Sequence, residues 1–174
     1  MPGIGLFFDT DTGNTRKVAK MINKLFDADQ LDLKNIVKVE MEDFNKYNAY
    51  IIGTPTLGEG ELPENLDSFF PNFDEIDFAG KTVALFGLGD QEEYGHEFVD
   101  AMGILYEKLE DQGASFIGTW STDGYEYEIS RAEIETGEFV GLVIDQDNQS
   151  GQTKERVEKW VEQIKPDILT AGGY

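Results

Sequence analysis

The chain has no cysteine among its 174 residues, so disulfides, thiolate metal sites and cysteine nucleophiles are excluded. Histidine occurs once, at His96, in a stretch that reads as loop or helix start. Bases are scarce: 14 Lys and Arg stand against 35 Asp and Glu, a net charge of −21. Such a surface repels nucleic acid and anionic membrane. It steers the molecule toward basic partner surfaces, although plain solubility or adaptation to salt would leave the same composition. No apolar run is long enough to span a membrane. The N-terminus enters a strand-like run without a basic region before it, so no signal peptide is expected, which fits the expected cytoplasmic location. What the chain does have is 40% hydrophobic and 12% aromatic residues, enough for one domain with a sizeable core. No repeat or linker divides it, and residues 1–174 read as a single domain.

Ile4 to Phe8 is short, continuous and apolar, as a central parallel strand covered on both faces should be. Val18, Met21, Ile22 and Leu25 then recur at helical spacing, with Arg16, Lys17, Lys20 and Lys24 on the other face. Leu31 to Val39 reads as an edge strand and Asp43 to Lys46 as a short helical turn. Ala49 to Gly53 and Lys81 to Leu88 are further buried strands; a short helix with Leu66, Phe69, Phe70 and Phe73 lies between them. Phe98, Met102, Leu105 and Leu109 mark a helix that Gly113 ends. Ser115 to Thr119 is strand-like, Trp120 to Glu138 is polar and turn-rich, and Phe139 to Ile144 returns to strand character. Asp145 to Gly151 reads as a turn. Val157, Trp160, Val161 and Ile164 line a last helix expected to stop at Pro166, and the tail from Thr170 to Tyr174 is expected to be loose. Strand and helix alternate five times, which implies an α/β fold with a doubly wound parallel sheet.

In such sheets ligands sit beyond the carboxyl ends of the strands. Three loops start there, at Thr10, Thr54 and Gly87, so one ligand can touch all three. The first, Thr10-Asp11-Thr12-Gly13-Asn14-Thr15, offers hydroxyls, a glycine and the N-terminus of a helix, which holds a phosphate without any basic side chain. An ordinary βα turn with a threonine cap has the same residues. The other two offer Leu57, Tyr94, glycines and backbone groups, with no Lys, Arg, Ser or Cys. An apolar face, an aromatic face and backbone hydrogen bonds suit a flat polar heterocycle; an exposed loop tyrosine and a core-edge leucine are the plainer alternatives. A phosphate and a flat ring together describe a mononucleotide, and FMN fits best.

The motifs Thr10-x-Thr12-Gly13-x-Thr15, Pro55-Thr56, Gly87-x-Gly89-Asp90-Gln91-x-x-Tyr94, Trp120-Ser121-Thr122-Asp123-Gly124-Tyr125, Phe139-Val140-Gly141-Leu142 and Asp145-x-Asp147-Asn148-Gln149-Ser150 resemble, in order and spacing, those of the long-chain flavodoxins. The resemblance runs from Ile4 to about Ile164. It implies a flavodoxin-like five-stranded sheet of order 2-1-3-4-5, with an insertion over approximately 120–138 in the last strand. It implies one non-covalent FMN and low-potential one-electron transfer between larger redox proteins, with no substrate and no catalytic residue of its own. By the same resemblance Thr10, Asp11, Thr12, Gly13, Asn14 and Thr15 would hold the phosphate. Thr54, Pro55, Thr56, Leu57 and Gly58 would form the second loop, with Leu57 covering one face of the isoalloxazine and the Gly58 backbone meeting N5. Gly87, Leu88, Gly89, Asp90 and Tyr94 would form the third, with Tyr94 stacked on the other face. Gln146 and Asp147 would lie near the ribityl chain. Leu57, where many relatives carry tryptophan, resembles the flavodoxins of nitrogen fixation. The implied partners are the basic surfaces of a flavodoxin/ferredoxin reductase or a nitrogenase reductase, docking on a monomer.

Asn14 replaces a frequent lysine, and Asp9 and Asp11 add negative charge, so weaker phosphate binding is expected. From Gly58 to Glu93 there are ten acids and one base, Lys81. One unit charge ~8 Å from an anionic reduced flavin, at an effective dielectric of ~20, opposes it by ~2 kcal/mol, on the order of 90 mV before salt screening. A low potential for the second electron and a stabilised neutral semiquinone are therefore expected. A flavin-dependent quinone reductase on the same fold is the rival reading. A response regulator would need an aspartate where the strand ends Ile52-Gly53-Thr54. No metal site is expected: Asp145-x-Asp147-x-Gln149 starts like a calcium loop, but Ser150 and Arg156 stand at its sixth and twelfth positions.

Overall fold

Strand β1 (Ile4–Phe8) is buried along its whole length, as its unbroken apolar sequence requires, and pairs in parallel with a strand on each side. In the computed structural model, which describes residues 3–9 and 13–174, its neighbours are β2 (Leu31–Asn35) and β3 (Ala49–Pro55). Then come β4 (Thr82–Leu88) and β5 (Ser115–Ile117), giving the order β2-β1-β3-β4-β5, all parallel. This is the expected doubly wound order.

The pleat of β1 divides the core in two. Ile4, Leu6 and Phe8 join Val18 and Ile22 of α1 (Asn14–Asn23) and Val157, Trp160, Ile164 and Ile168 of α6 (Thr153–Ala171). Phe7 turns the other way. It stacks on Phe44, the end of α2 (Met41–Phe44), with ring centroids 4.1 Å apart. That layer continues through Tyr50, Phe73 and Phe78 to Leu66 and Phe69 of α3 (Glu64–Phe69) and Leu105 and Leu109 of α4 (Asp100–Asp111). A connection between parallel strands must carry the chain across the sheet; α1 and α6 cover one face, and α2, α3 and α4 the other.

The last strand is split. β5 lies beside the first half of β4, with Ile117 opposite Ala84; β9 (Leu142–Ile144) lies beside the second half, with Leu142 opposite Phe86. Between them the non-helical insertion forms an antiparallel sheet of its own, β6 (Trp120–Ser121), β7 (Glu133–Glu135) and β8 (Glu138–Phe139), in the order β6-β8-β7.

Four local expectations are corrected. The edge strand stops at Asn35, whose side chain accepts from the Val37 N–H at 3.1 Å and starts a turn of 3-10 helix over Ile36–Lys38. Helix α6 does not stop at Pro166 but runs on to Ala171, because Ile164 and Ile168, buried on either side of it, keep one apolar face on the core. The tail is tied down: the Tyr174 hydroxyl accepts from the Gly3 N–H and donates to the Asp29 carbonyl, each at 2.9 Å. Residues expected as a plain turn after β9 contain α5 (Gln146–Gln149), capped by Asp145, whose carboxylate accepts from the Asn148 N–H at 3.0 Å. Among the described residues no helix is long and apolar enough to cross a membrane.

Candidate functional site

The carboxyl ends of β1, β3, β4 and β9 open on one rim, and a cleft of about 260 Å³ lies there. Asn14 and Thr15 at the start of α1 line it, with Pro55, Thr56 and Leu57 after β3, Leu88, Gly89, Asp90 and Tyr94 from β4 and its loop, and Gln146 and Asp147 after β9. Residues far apart in the chain meet because every loop that leaves a parallel strand at this edge leaves it on the same side.

Gly13 precedes α1 with φ +93°, a left-handed conformation that a side chain would strain. The first bond of the helical ladder runs from the Lys17 N–H to the Gly13 carbonyl, so the N–H groups of Asn14, Thr15 and Arg16 lie ahead of it. No acidic residue occupies the first turn. Thr10, Asp11 and Thr12 lie outside the described residues.

Leu57 is held by a tight two-bond turn: its N–H donates to the Glu61 carbonyl at 2.9 Å, and Glu61 N–H returns to the Leu57 carbonyl at 2.7 Å. Gly58 stands next in this turn, at φ +47°, outside the cleft lining. Thr56 ties the loop to its surroundings, donating its N–H to the Leu88 carbonyl and accepting at its hydroxyl from the Ala101 N–H of α4. Thr54 and Gly87 sit one step lower, inside the strands. The Thr54 hydroxyl donates to the Pro55 carbonyl, and Gly87 faces Met102 of α4.

In the third loop, Asp90 builds the turn that presents Tyr94. One carboxylate oxygen accepts from the N–H groups of Glu92 and Glu93, and the Asp90 carbonyl accepts from the Tyr94 N–H at 2.9 Å. Burial works to raise the Asp90 pKa, but those N–H donors and the Asn148 amide at 2.7 Å outweigh it and hold the carboxyl below its ordinary value. Asp147 is pushed the other way, by burial and by the carboxylates of Asp90 and Asp145.

Among the described residues, the acids that line the cleft are Asp90, Glu93, Glu97 and Asp147, and no Lys or Arg lines it. The single base of the acidic stretch is far off. Lys81 precedes β4 at the opposite edge of the sheet, donating to the Tyr47 carbonyl and the Tyr50 hydroxyl. Counting acids along the sequence overstated their number at the rim and still placed the sign correctly. Leu57, Tyr94 and a helix start bearing N–H and hydroxyl donors all line the cleft, a set that fits a flat ring carrying a phosphate.

Glu97, Phe98 and Val99 also line the cleft. Helical spacing had assigned Phe98 to a helix, but Val99, at φ +49°, holds the chain out of the helix until Asp100. A β-branched residue is a poor candidate for that conformation, so nothing in the sequence signals it.

A family model described as Flavodoxin matches residues 6–160. A flavodoxin of Haemophilus influenzae is 45% identical to this chain, over 97% of each. Flavodoxin 1 of Escherichia coli K12 is 47% identical, over 94% of this chain and 93% of its own length. Among solved structures, a Fusobacterium nucleatum flavodoxin bound to flavin mononucleotide matches with a TM-score of 0.86 and 34% identity, covering 97% of this chain and 99% of that one.

Proposed function

This chain belongs to the flavodoxin family, and on that premise we propose that its rim cleft holds one non-covalent FMN and that its residues tune and present it. It is an electron-transfer flavoprotein, not a substrate-converting enzyme, and the quinone-reductase alternative is not favoured. The observation that carries the reading is a cleft lined together by Leu57, Tyr94 and the start of α1.

Bound FMN supplies the one-electron chemistry. The start of α1 would receive the phosphate on its N–H groups and the Thr15 hydroxyl, and Thr10, Asp11 and Thr12 are the further residues assigned to it. A helix dipole and neutral donors then do the work of the missing base. Leu57 and Tyr94 would cover the ring and keep water from it. The Gly58 backbone, next to Leu57 in the turn, would face the ring's N5 edge. Asp90, already committed to two N–H groups and to Asn148, is a fixed charge that needs no rearrangement when the ring gains an electron. Together with Glu93, Glu97 and Asp147 it makes added negative charge on the ring unfavourable and so lowers the potential. The same carboxylates ring the exposed edge where a basic redox protein docks. Partners of the reductase and nitrogenase-reductase kind, a monomeric state, a cytoplasmic location and one domain spanning 1–174 belong to this reading.

The test is an FMN titration of the apoprotein followed by stepwise reduction with dithionite. Quenched flavin fluorescence at one equivalent and two separated one-electron steps are the expected outcome. A protein that leaves added FMN fully fluorescent would overturn the reading.

A further inference from the structure

The loop that presents Tyr94 has few bonds to the body of the protein. Within it the bonds are local: Tyr94 N–H to Asp90, Glu97 N–H to Tyr94, Asp100 N–H to Glu97. The polar contacts that leave residues 91–100 go almost entirely to one place. Glu126 N–H donates to the Gln91 side-chain oxygen at 2.6 Å. Both Glu128 and Ile129 donate their N–H groups to the Gly95 carbonyl, at 2.9 and 3.1 Å. The Ser130 hydroxyl donates to the Phe98 carbonyl. Arg131 N–H donates to the Asp100 carboxylate at 2.8 Å. Residues 126–131 of the insertion therefore run beside 91–100 in the same direction, bonded at successive steps. The contact is also apolar: the buried Phe98 ring, which lines the cleft, lies 5.2 Å from Tyr127 and about 6 Å from Tyr125 and Phe139. Gly103 of α4 belongs to the same seam, since a Cβ there would come within 2.5 Å of the Arg131 backbone.

Gln91 is the junction. Its side chain is 6% exposed. The carboxamide nitrogen donates to the fully buried Asp145 at 2.6 Å, while the backbone N–H of Gln91 reaches the same oxygen at 3.1 Å. One residue thus fixes the beginning of the Tyr94 loop to the end of β9 and to the insertion at once.

We propose that residues 126–131 are a strap that positions the Tyr94 loop against the ring, with Gln91 and Ser130 as its positioning residues. Neither residue lines the cleft. Each acts by setting where Tyr94, Phe98 and Asp90 stand. The proposal rests on the cleft holding FMN.

The test uses the full chain with Gln91→Met and, separately, Ser130→Ala. Each removes strap bonds while leaving every cleft-lining side chain in place. Losing one buried hydrogen bond weakens FMN binding by about tenfold. Residual fluorescence of bound flavin rises in both variants, and the potential of the first electron step shifts in the same direction in both. If Gln91→Met does not fold, Gly103→Ala, which pushes the strap off α4 from the far side, takes its place beside Ser130→Ala. Variants that match the wild type in FMN dissociation constant, quenching and potentials, even with a lowered Tm, overturn the strap and leave the cleft intact. A wild type that fails to quench FMN overturns the cleft, and the strap with it.

Discussion

Tyr94 lines the cleft yet keeps 40% of its surface exposed, an arrangement that is costly for an aromatic ring unless something flat lies against it. Removing it should hurt. A stacked aromatic is worth about 1–3 kcal/mol per ring by alanine substitution, so Tyr94→Ala is expected to loosen FMN by about 10- to 100-fold in a fluorescence titration. Leu57→Ala is expected to cost less, because an aliphatic side chain offers contact but no π-face. The sequence places both in glycine-rich loops at strands' carboxyl ends, and both line the cleft; an exposed loop tyrosine and a core-edge leucine are the plainer uses of such residues. The role of Asp9 was not legible there. Its charge was read as an influence on the phosphate, but its carboxylate is buried and accepts from the Leu66 N–H at 2.8 Å and the Asn65 amide at 3.3 Å. Its work includes holding the start of α3. Asp9→Ala is accordingly expected to lower the unfolding free energy by about 2 kcal/mol in urea, the cost of leaving a buried N–H without its acceptor.

Among the elements, the buried strands could be read directly because continuous apolar runs bounded by turns have few other uses. Helix ends were less legible. Periodicity marks the face of a helix but says nothing of the backbone angle that starts it, as Val99 demonstrates, or of the packing that carries it through a proline. Pro166 lacks the N–H that would bond one turn back and crowds the preceding turn, at ~3 kcal/mol in an unconstrained helix. The stiffer unfolded chain offsets ~1 kcal/mol of that. Pro166→Ala is therefore expected to stabilise the protein by about 2 kcal/mol, visible as a rise in Tm. The small antiparallel sheet of the insertion was unreadable for another reason: strands of two and three residues are too short to show alternation.

For the molecule as a whole, charge governs behaviour. A net charge of −21 on 174 residues repels itself, so added salt is expected to raise Tm even as it slows docking. Acid has two opposed effects. Burial raises the carboxyl pKa of Asp100 against its bond from Arg131 N–H, and raises that of Asp147 together with the neighbouring Asp90 and Asp145 carboxylates. Groups raised on folding bind protons more tightly in the native state, so they add stability as pH falls toward the ordinary carboxylate range. Asp43, paired with Lys46, and Asp90, held by N–H donors, are depressed; their contribution is present above that range and disappears below it. Thermal melts are expected to show Tm rising as pH falls toward the ordinary carboxylate range and falling once pH drops below it. In stopped-flow mixing with a basic reductase, the rate of electron transfer is expected to drop steeply between about 0.01 and 0.3 M salt.

The register of the divided strand has one more implication. Ile117 stands opposite Ala84 and Leu142 opposite Phe86, so only the place opposite Leu85 separates the two halves. One residue there would join Ser115–Ile117 to Leu142–Ile144 as an unbroken strand as long as β4. The chain thus carries a shorter protein folded inside it, complete in its sheet and helices, and 118–141 can be spliced out at a seam one residue wide. That miniature would keep the floor and walls of the cleft and lose the outside brace on one of them.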